Sequence, residues 1–179
     1  MNLSVALGLV IIAALAALCY AAFSFFKVKK LEEGTDRMQE IAAAIRLGAN
    51  TFIRYEYKIL IVVVLVVAVV LALLISWQAA VAFIIGTLMS GAAGYVGMKI
   101  ATSSNARTAF AASQSLNSGL KVAFSAGSVM GFTVVGLGLL DTSLWFFFLK
   151  YIVYAGLPEA EQAMKISALM LTFGMGASM

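Results

Sequence analysis

The sequence has 179 residues, 63% of them hydrophobic and 11% charged, with a mean hydropathy of +1.04. A soluble domain carries roughly 45–50% apolar and about 25% charged residues, so this composition excludes an ordinary globular fold and indicates an all-α polytopic membrane helix bundle. The formal charge of +4 lies in segments between apolar spans, which points to membrane topology and away from nucleic acid as a partner.

The first span covers residues 3–26. No Lys or Arg precedes it, and it is longer than a signal-peptide core of about 7–15 residues, so an uncleaved membrane helix is expected. It contains Cys19, the single cysteine, expected to be a small packing residue. With no histidine in the sequence, a disulfide framework and a Cys/His metal centre are both excluded.

The segment that follows holds Glu32, Glu33 and Asp36 among Lys29, Lys30 and Arg37. These acids are expected to be solvated and charge-balanced. Thr35 can cap a helix starting at Asp36, and Met38, Ile41, Ala42 and Ile45 recur at spacings of three and four. An amphipathic helix over about 36–47 is therefore expected. Gly48 either ends it or kinks it into the second span, 59–76. That span is rich in valine, but its length favours a membrane helix over a strand.

A turn at Trp77 and Gln78 leads to the third span, 79–98. A basic segment from Lys99 to Lys121 separates it from the fourth, 120–140. Gly86, Ser90 and Gly94 share one helical face, and Gly127 and Gly131 share another, with Gly138 beyond. Small residues at four-residue spacing let helices approach closely in lipid. The aromatic stretch Leu144–Tyr154 suits a membrane–water interface, bracketed by Asp141 and Glu159 as solvated charges. Pro158, the only proline, marks a break.

The fifth span, 164–179, holds 16 residues, whereas crossing a bilayer takes about 20. No polar flank follows Met179, and unsatisfied helix carbonyls in hydrocarbon cost several kcal/mol each. The expectation is an N-terminal fragment, a single transmembrane domain over 1–179 with four full spans and the start of a fifth. Ten of the twelve Lys and Arg residues lie in the two segments after the first and third spans. This bias places those segments in the cytoplasm and the N-terminus outside.

No carboxylate falls mid-span, where it would mark an ion path. No Walker-type phosphate loop is present, and no acidic cluster suits Mg2+. Catalytic and metal-ligating residues are therefore expected to be absent from this stretch.

Three stretches resemble the membrane-bound, ion-translocating inorganic pyrophosphatases. They are EEGTDRMQEIAAAIRLGANTFIRYEYK, the pair GTLMSGAAGYVGMKIATSSNARTAFAA and LNSGLKVAFSAGSVMGFTVVGLGLL, and the terminal LTFGMGASM. Their order and spacing agree with the family over nearly the whole chain. The resemblance implies a homodimer of roughly sixteen-helix subunits. This chain would supply outer-ring helices and the start of an inner-ring one. The implied activity is inorganic diphosphatase, a hydrolase that couples cleavage of magnesium pyrophosphate to transport of H+ or Na+ across a membrane. The implied cofactor is Mg2+, with K+ as an optional second cation, both bound by residues outside this sequence, as are the residues that choose the pumped ion. One position carries over: Ser178 matches a serine lining the family's ion path. Met179 stands where a second serine often follows. The absence of a targeting segment favours a prokaryotic plasma membrane. The alternative is a non-catalytic scaffold or accessory subunit.

Overall fold

The computed structural model describes residues 3–179 and is helical almost throughout, with no strand among the described residues. The elements are α1 (Leu3–Lys29), α2 (Asp36–Leu74), α3 (Trp77–Gln114), α4 (Leu116–Phe148), a π-helical turn (Leu149–Val153) and α5 (Glu159–Ala177). Among the described residues four helices are long and apolar enough to cross a membrane: α1, α2, α3, and α4 with its π turn. The valine run of α2 stays helical although β-branched residues lose side-chain freedom there. In hydrocarbon only intrahelical bonds can satisfy the backbone.

Short polar residues set the junctions. The Met38 N–H donates to Thr35 Oγ1 at 3.4 Å, the Ala79 N–H to Ser76 Oγ at 3.2 Å and the Ser118 N–H to Ser115 Oγ at 3.1 Å. Each occupies one of the open donors at a helix start. Pro158 precedes α5, where its missing N–H costs nothing.

Several elements run further than the sequence implies. α2 passes through Gly48 without ending. Trp77 and Gln78 open α3 and are not the turn, which falls at Ile75 and Ser76. α3 continues through the polar stretch after Lys99 as far as Gln114. The apolar stripe of early α2 is only partly buried. Ala42 and Ile53 are buried, while Ile41 and Ile45 are 51% and 41% exposed.

The chain forms two compact units. One comprises α1 up to Leu15, Ile59–Ala92 and Gly136–Met179. Its core has two clusters. Ala79, Ala82, Trp145, Leu149, Ile166, Leu169 and Phe173 join the start of α3 to the end of α4 and to α5. Ala68, Leu71, Ala80 and Phe83 join α2 to α3. The other unit comprises Ala16–Lys58 and Ala93–Val135. Val28, Ile100, Ala126 and Val129 form its core, with Phe25 and Val96 packed on it. Tyr20 meets Phe132 edge-on at 4.8 Å.

Candidate functional site

Buried polar groups or very close contacts mark three places, each inside one unit. The first closes the loop between α1 and α2. Gly34 turns the chain at φ +84, a left-handed conformation that glycine adopts without steric cost. A side chain there would also collide with Met38 and Phe110, 2.6 and 2.9 Å from its Cβ.

Beside this turn Glu33 receives both guanidinium nitrogens of Arg46, at 2.8 and 3.1 Å, and lies 2.8 Å from Nη1 of Arg107. Arg107 is buried. Its Nε donates to the Leu31 carbonyl at 2.9 Å, its Nη2 to Lys29 at 3.0 Å, and its Nη1 to Ser103. Lys29 ends α1, so Arg107 places a cation on the open carbonyls at the negative end of that helix. The Arg46 hydrogen bond holds the Glu33 carboxyl below the usual glutamate range. Burial opposes that effect, and the charges of Arg107 and Arg46 add to it. The expectation of solvated acids is thus corrected at Glu33: two arginines on different helices clamp it. The cluster has no open ligand position, and its chemistry is that of a latch on the loop.

The second place is the crossing of α3 and α5. A Cβ on Gly86 would lie 2.5 Å from the Phe173 carbonyl and 2.9 Å from the Ala177 nitrogen. A Cβ on Gly176 would overlap the Phe83 carbonyl. The two backbones touch, as small residues permit in lipid. The other glycine face behaves differently. Gly127, Gly131 and Gly138 have nothing within 4 Å of an added Cβ among the described residues. Ser178 sits directly after the crossing, at the end of α5. It is exposed, and its hydroxyl donates to the Met175 carbonyl at 2.8 Å.

The third place is the far end of α4. Asp141, expected to be solvated, is buried at 8% exposure, and its Oδ2 has no hydrogen-bond partner. The indole Nε1 of Trp145, one turn on, is likewise buried and unpaired. Both line a cavity of about 540 Å³ at the start of α3. Glu159 is exposed as expected, and Cys19 is exposed, not packed.

Among the described residues no group of three or more His, Cys, Asp or Glu could hold a metal ion.

The sequence profile of the family described as "Inorganic H+ pyrophosphatase" matches residues 15–179. The chain belongs to this family. A relative from Bacteroides thetaiotaomicron is 43% identical over 182 residues, covering 98% of this chain and 25% of its own length. The "K(+)-stimulated pyrophosphate-energized sodium pump" of Thermotoga maritima is 45% identical over 132 residues, 73% of this chain and 18% of its own. The "K(+)-insensitive pyrophosphate-energized proton pump" of Methanosarcina mazei is 37% identical over 174 residues, 94% of this chain and 23% of its own. The chain thus spans about a quarter of the length of the curated relatives it matches.

Within the family's helical frame, the sequence marks Ser178 and Gly86 but not Arg107, Asp141 or Gly176. Arg107 looks like one more topology charge. Only its position on a helical extension, four residues after Ser103 and seven after the buried Ile100, hints that it faces inward.

Proposed function

We propose that the chain forms part of a pyrophosphate-energised ion pump, an inorganic diphosphatase coupling hydrolysis to translocation of H+ or Na+. The observation that carries this reading is the family match over residues 15–179, with relatives of both pump types at 37–45% identity. The four long apolar helices and the dense α3–α5 crossing suit the outer wall of such a pump and the beginning of an inner helix. In this reading magnesium pyrophosphate and the pumped ion are bound by other parts of a longer protein, which is a homodimer, with K+ as an optional activator. The N-terminus lies outside a prokaryotic plasma membrane, in line with the ten Lys and Arg residues after the first and third helices. Ser178 lines the ion path; its hydroxyl spends its one proton on Met175 and keeps acceptor lone pairs for a passing cation.

The test is a chimera in which this chain replaces the matching first quarter of the Bacteroides relative. Pyrophosphate-driven ion uptake into vesicles carrying the chimera is the expected result. A chimera that inserts and dimerises but neither hydrolyses pyrophosphate nor moves ions would overturn the assignment. Mg2+-dependent hydrolysis by the 179-residue chain alone would overturn the placement of the catalytic groups elsewhere.

A further inference from the structure

The crossing of α3 and α5 is built twice over from the same short pattern. Phe83 stands three residues before Gly86 on α3, and Phe173 three before Gly176 on α5. A Cβ on Gly86 would meet the Phe173 carbonyl, and a Cβ on Gly176 the Phe83 carbonyl. The hydrogen that takes each Cβ's place therefore points at a carbonyl of the other helix, a weak bond that recurs where helices touch. Both phenylalanines are buried. At its start α5 is held by the Gln162 amide, which donates to the Lys150 and Tyr154 carbonyls. The helix is thus fixed at two points, and the depth of the glycine contact sets how close it lies to α3.

The crossing also fixes which side of α5 looks away from α3. Ile166, Leu169, Phe173 and Gly176 belong to its buried face. Leu171, Met175 and Ser178, at spacings of four and three, form an exposed one. At about 100° per residue Ser178 lies roughly 200° round the helix from Gly176. The bond from its hydroxyl to the Met175 carbonyl keeps it on this side. α3 is therefore the backing against which Ser178 is presented. A methyl on Gly86 would stand 2.5 Å from the Phe173 carbonyl, where ordinary contact begins at 3.4 Å. The backbones would have to part by about 1 Å. Ser178 would move with α5, in the direction it faces.

We propose that Gly86 is a positioning residue for the ion path: its contact with α5 sets how far Ser178 reaches into that path. This role rests on the reading of Ser178 given above and adds to it a residue on a neighbouring helix that touches no ion. Oxygens that hold a cation must stand within a few tenths of an ångström of their proper distance. A misplacement of about 1 Å by a remote change can cost about 100-fold where groups must meet in a set geometry. The hydrolytic groups lie in other parts of the protein in this reading, so a methyl on Gly86 impairs transport and spares pyrophosphate cleavage.

The test uses the full-length protein in sealed vesicles, with pyrophosphate hydrolysis measured beside ion uptake, the latter by sodium-22 and by a pH-sensitive dye. Gly86→Ala should hold hydrolysis within about twofold and lower the ions moved per pyrophosphate by about fivefold or more. Gly176→Ala presses the same contact from the other side and should act alike. Ser178→Ala should lower the ratio by a similar factor. Adding Gly86→Ala to it should lower the ratio no further, because both changes act through one hydroxyl. Additive losses or an unchanged ratio in Gly86→Ala would overturn the proposal. So would hydrolysis and transport that fall in step in both glycine variants, which would make the crossing a matter of stability alone. An unchanged ratio in Ser178→Ala would overturn the reading of Ser178 and this role with it, whereas an unaltered protein that moves neither ion would overturn the pump reading itself.

Discussion

Replacing Arg107 by alanine should open the α1–α2 loop without unfolding the rest of the chain. The Arg107 side chain is 9% exposed; it bonds the carbonyls of Lys29, Leu31 and Ser103 and pairs with Glu33. A hydrogen bond involving a charged group contributes about 1.5–3 kcal/mol. The four contacts share one guanidinium and do not add, and Glu33 keeps its bidentate bond to Arg46. The expected loss is therefore about 2–4 kcal/mol, which raises the open population roughly 30- to 900-fold. A lysine-specific protease at limiting concentration reads this directly, since cleavage then tracks the open fraction. Lys29 and Lys30 are the reporting sites, and Lys150 and Lys165, in the other unit, are internal controls. Arg107→Lys keeps the charge but not the planar fork and should recover less than half of the protection. A change at Lys29 and Lys30 below about threefold, with helicity unaltered, would refute the latch; a parallel rise at Lys150 and Lys165 would show global unfolding instead.

The same latch carries a pH dependence. The folded-state pKa of Glu33 is lowered, so its contribution is fully present above the ordinary glutamate value and fades as pH falls through the folded one. Hydrogen exchange of residues 28–36, corrected for intrinsic rates, should be flat from neutral pH to about 5 and rise below about 4; Glu33→Gln should be open and flat throughout. Gly176→Ala drives a methyl into the Phe83 carbonyl and should destabilise by about 1–3 kcal/mol. Gly127→Ala, with open space around it, should be neutral or stabilising by up to about 1 kcal/mol, and equal melting shifts for the two would contradict the crossing. Gln162 is buried, and its amide donates to the carbonyls of Lys150 and Tyr154 at 2.8 and 3.0 Å. Gln162→Leu takes this donor from the Lys150 carbonyl, while Tyr154 keeps the Leu157 N–H at 3.1 Å, and should lower stability by about 1–2 kcal/mol, seen as faster cleavage at Lys150.

The helices were legible because hydrocarbon permits little else: a run of apolar residues long enough to cross must be helical. Their limits were not, since hydrophobicity fades before the helix ends. Residues 101–114 look like a polar loop, yet they continue α3 because Ile100, Ser104 and Arg107 bury one side. Asp141 looked like the end of a span because it is charged, but no glycine or proline stands between it and Gly156, so the helix runs on past the acid to Val153. On early α2 the period marks the apolar stripe but not which of its members pack: Ala42 is buried while Ile41 and Ile45 are exposed. Gly86 was legible as part of a small-residue face. Its counterpart Gly176 belonged to no such pattern, and Gly127 and Gly131 carried the pattern without the contact. The family itself was legible from three ordered motifs.

The π-helical turn at Leu149–Val153 is held by the Tyr154 N–H on the Leu149 carbonyl at 2.9 Å, a span of five residues where an α-turn spans four. A wide turn of this kind absorbs one extra residue locally. Its presence makes this stretch a natural site for length variation between related chains. Removing one residue from it would tighten the turn to an ordinary α-turn. The phase of α4 up to Trp145 would be unchanged, and α5 would still start at the proline. An insertion or deletion in α4 before Asp141 would instead rotate every later residue by about 100°, turning Asp141 and the packed face of the helix away from their neighbours.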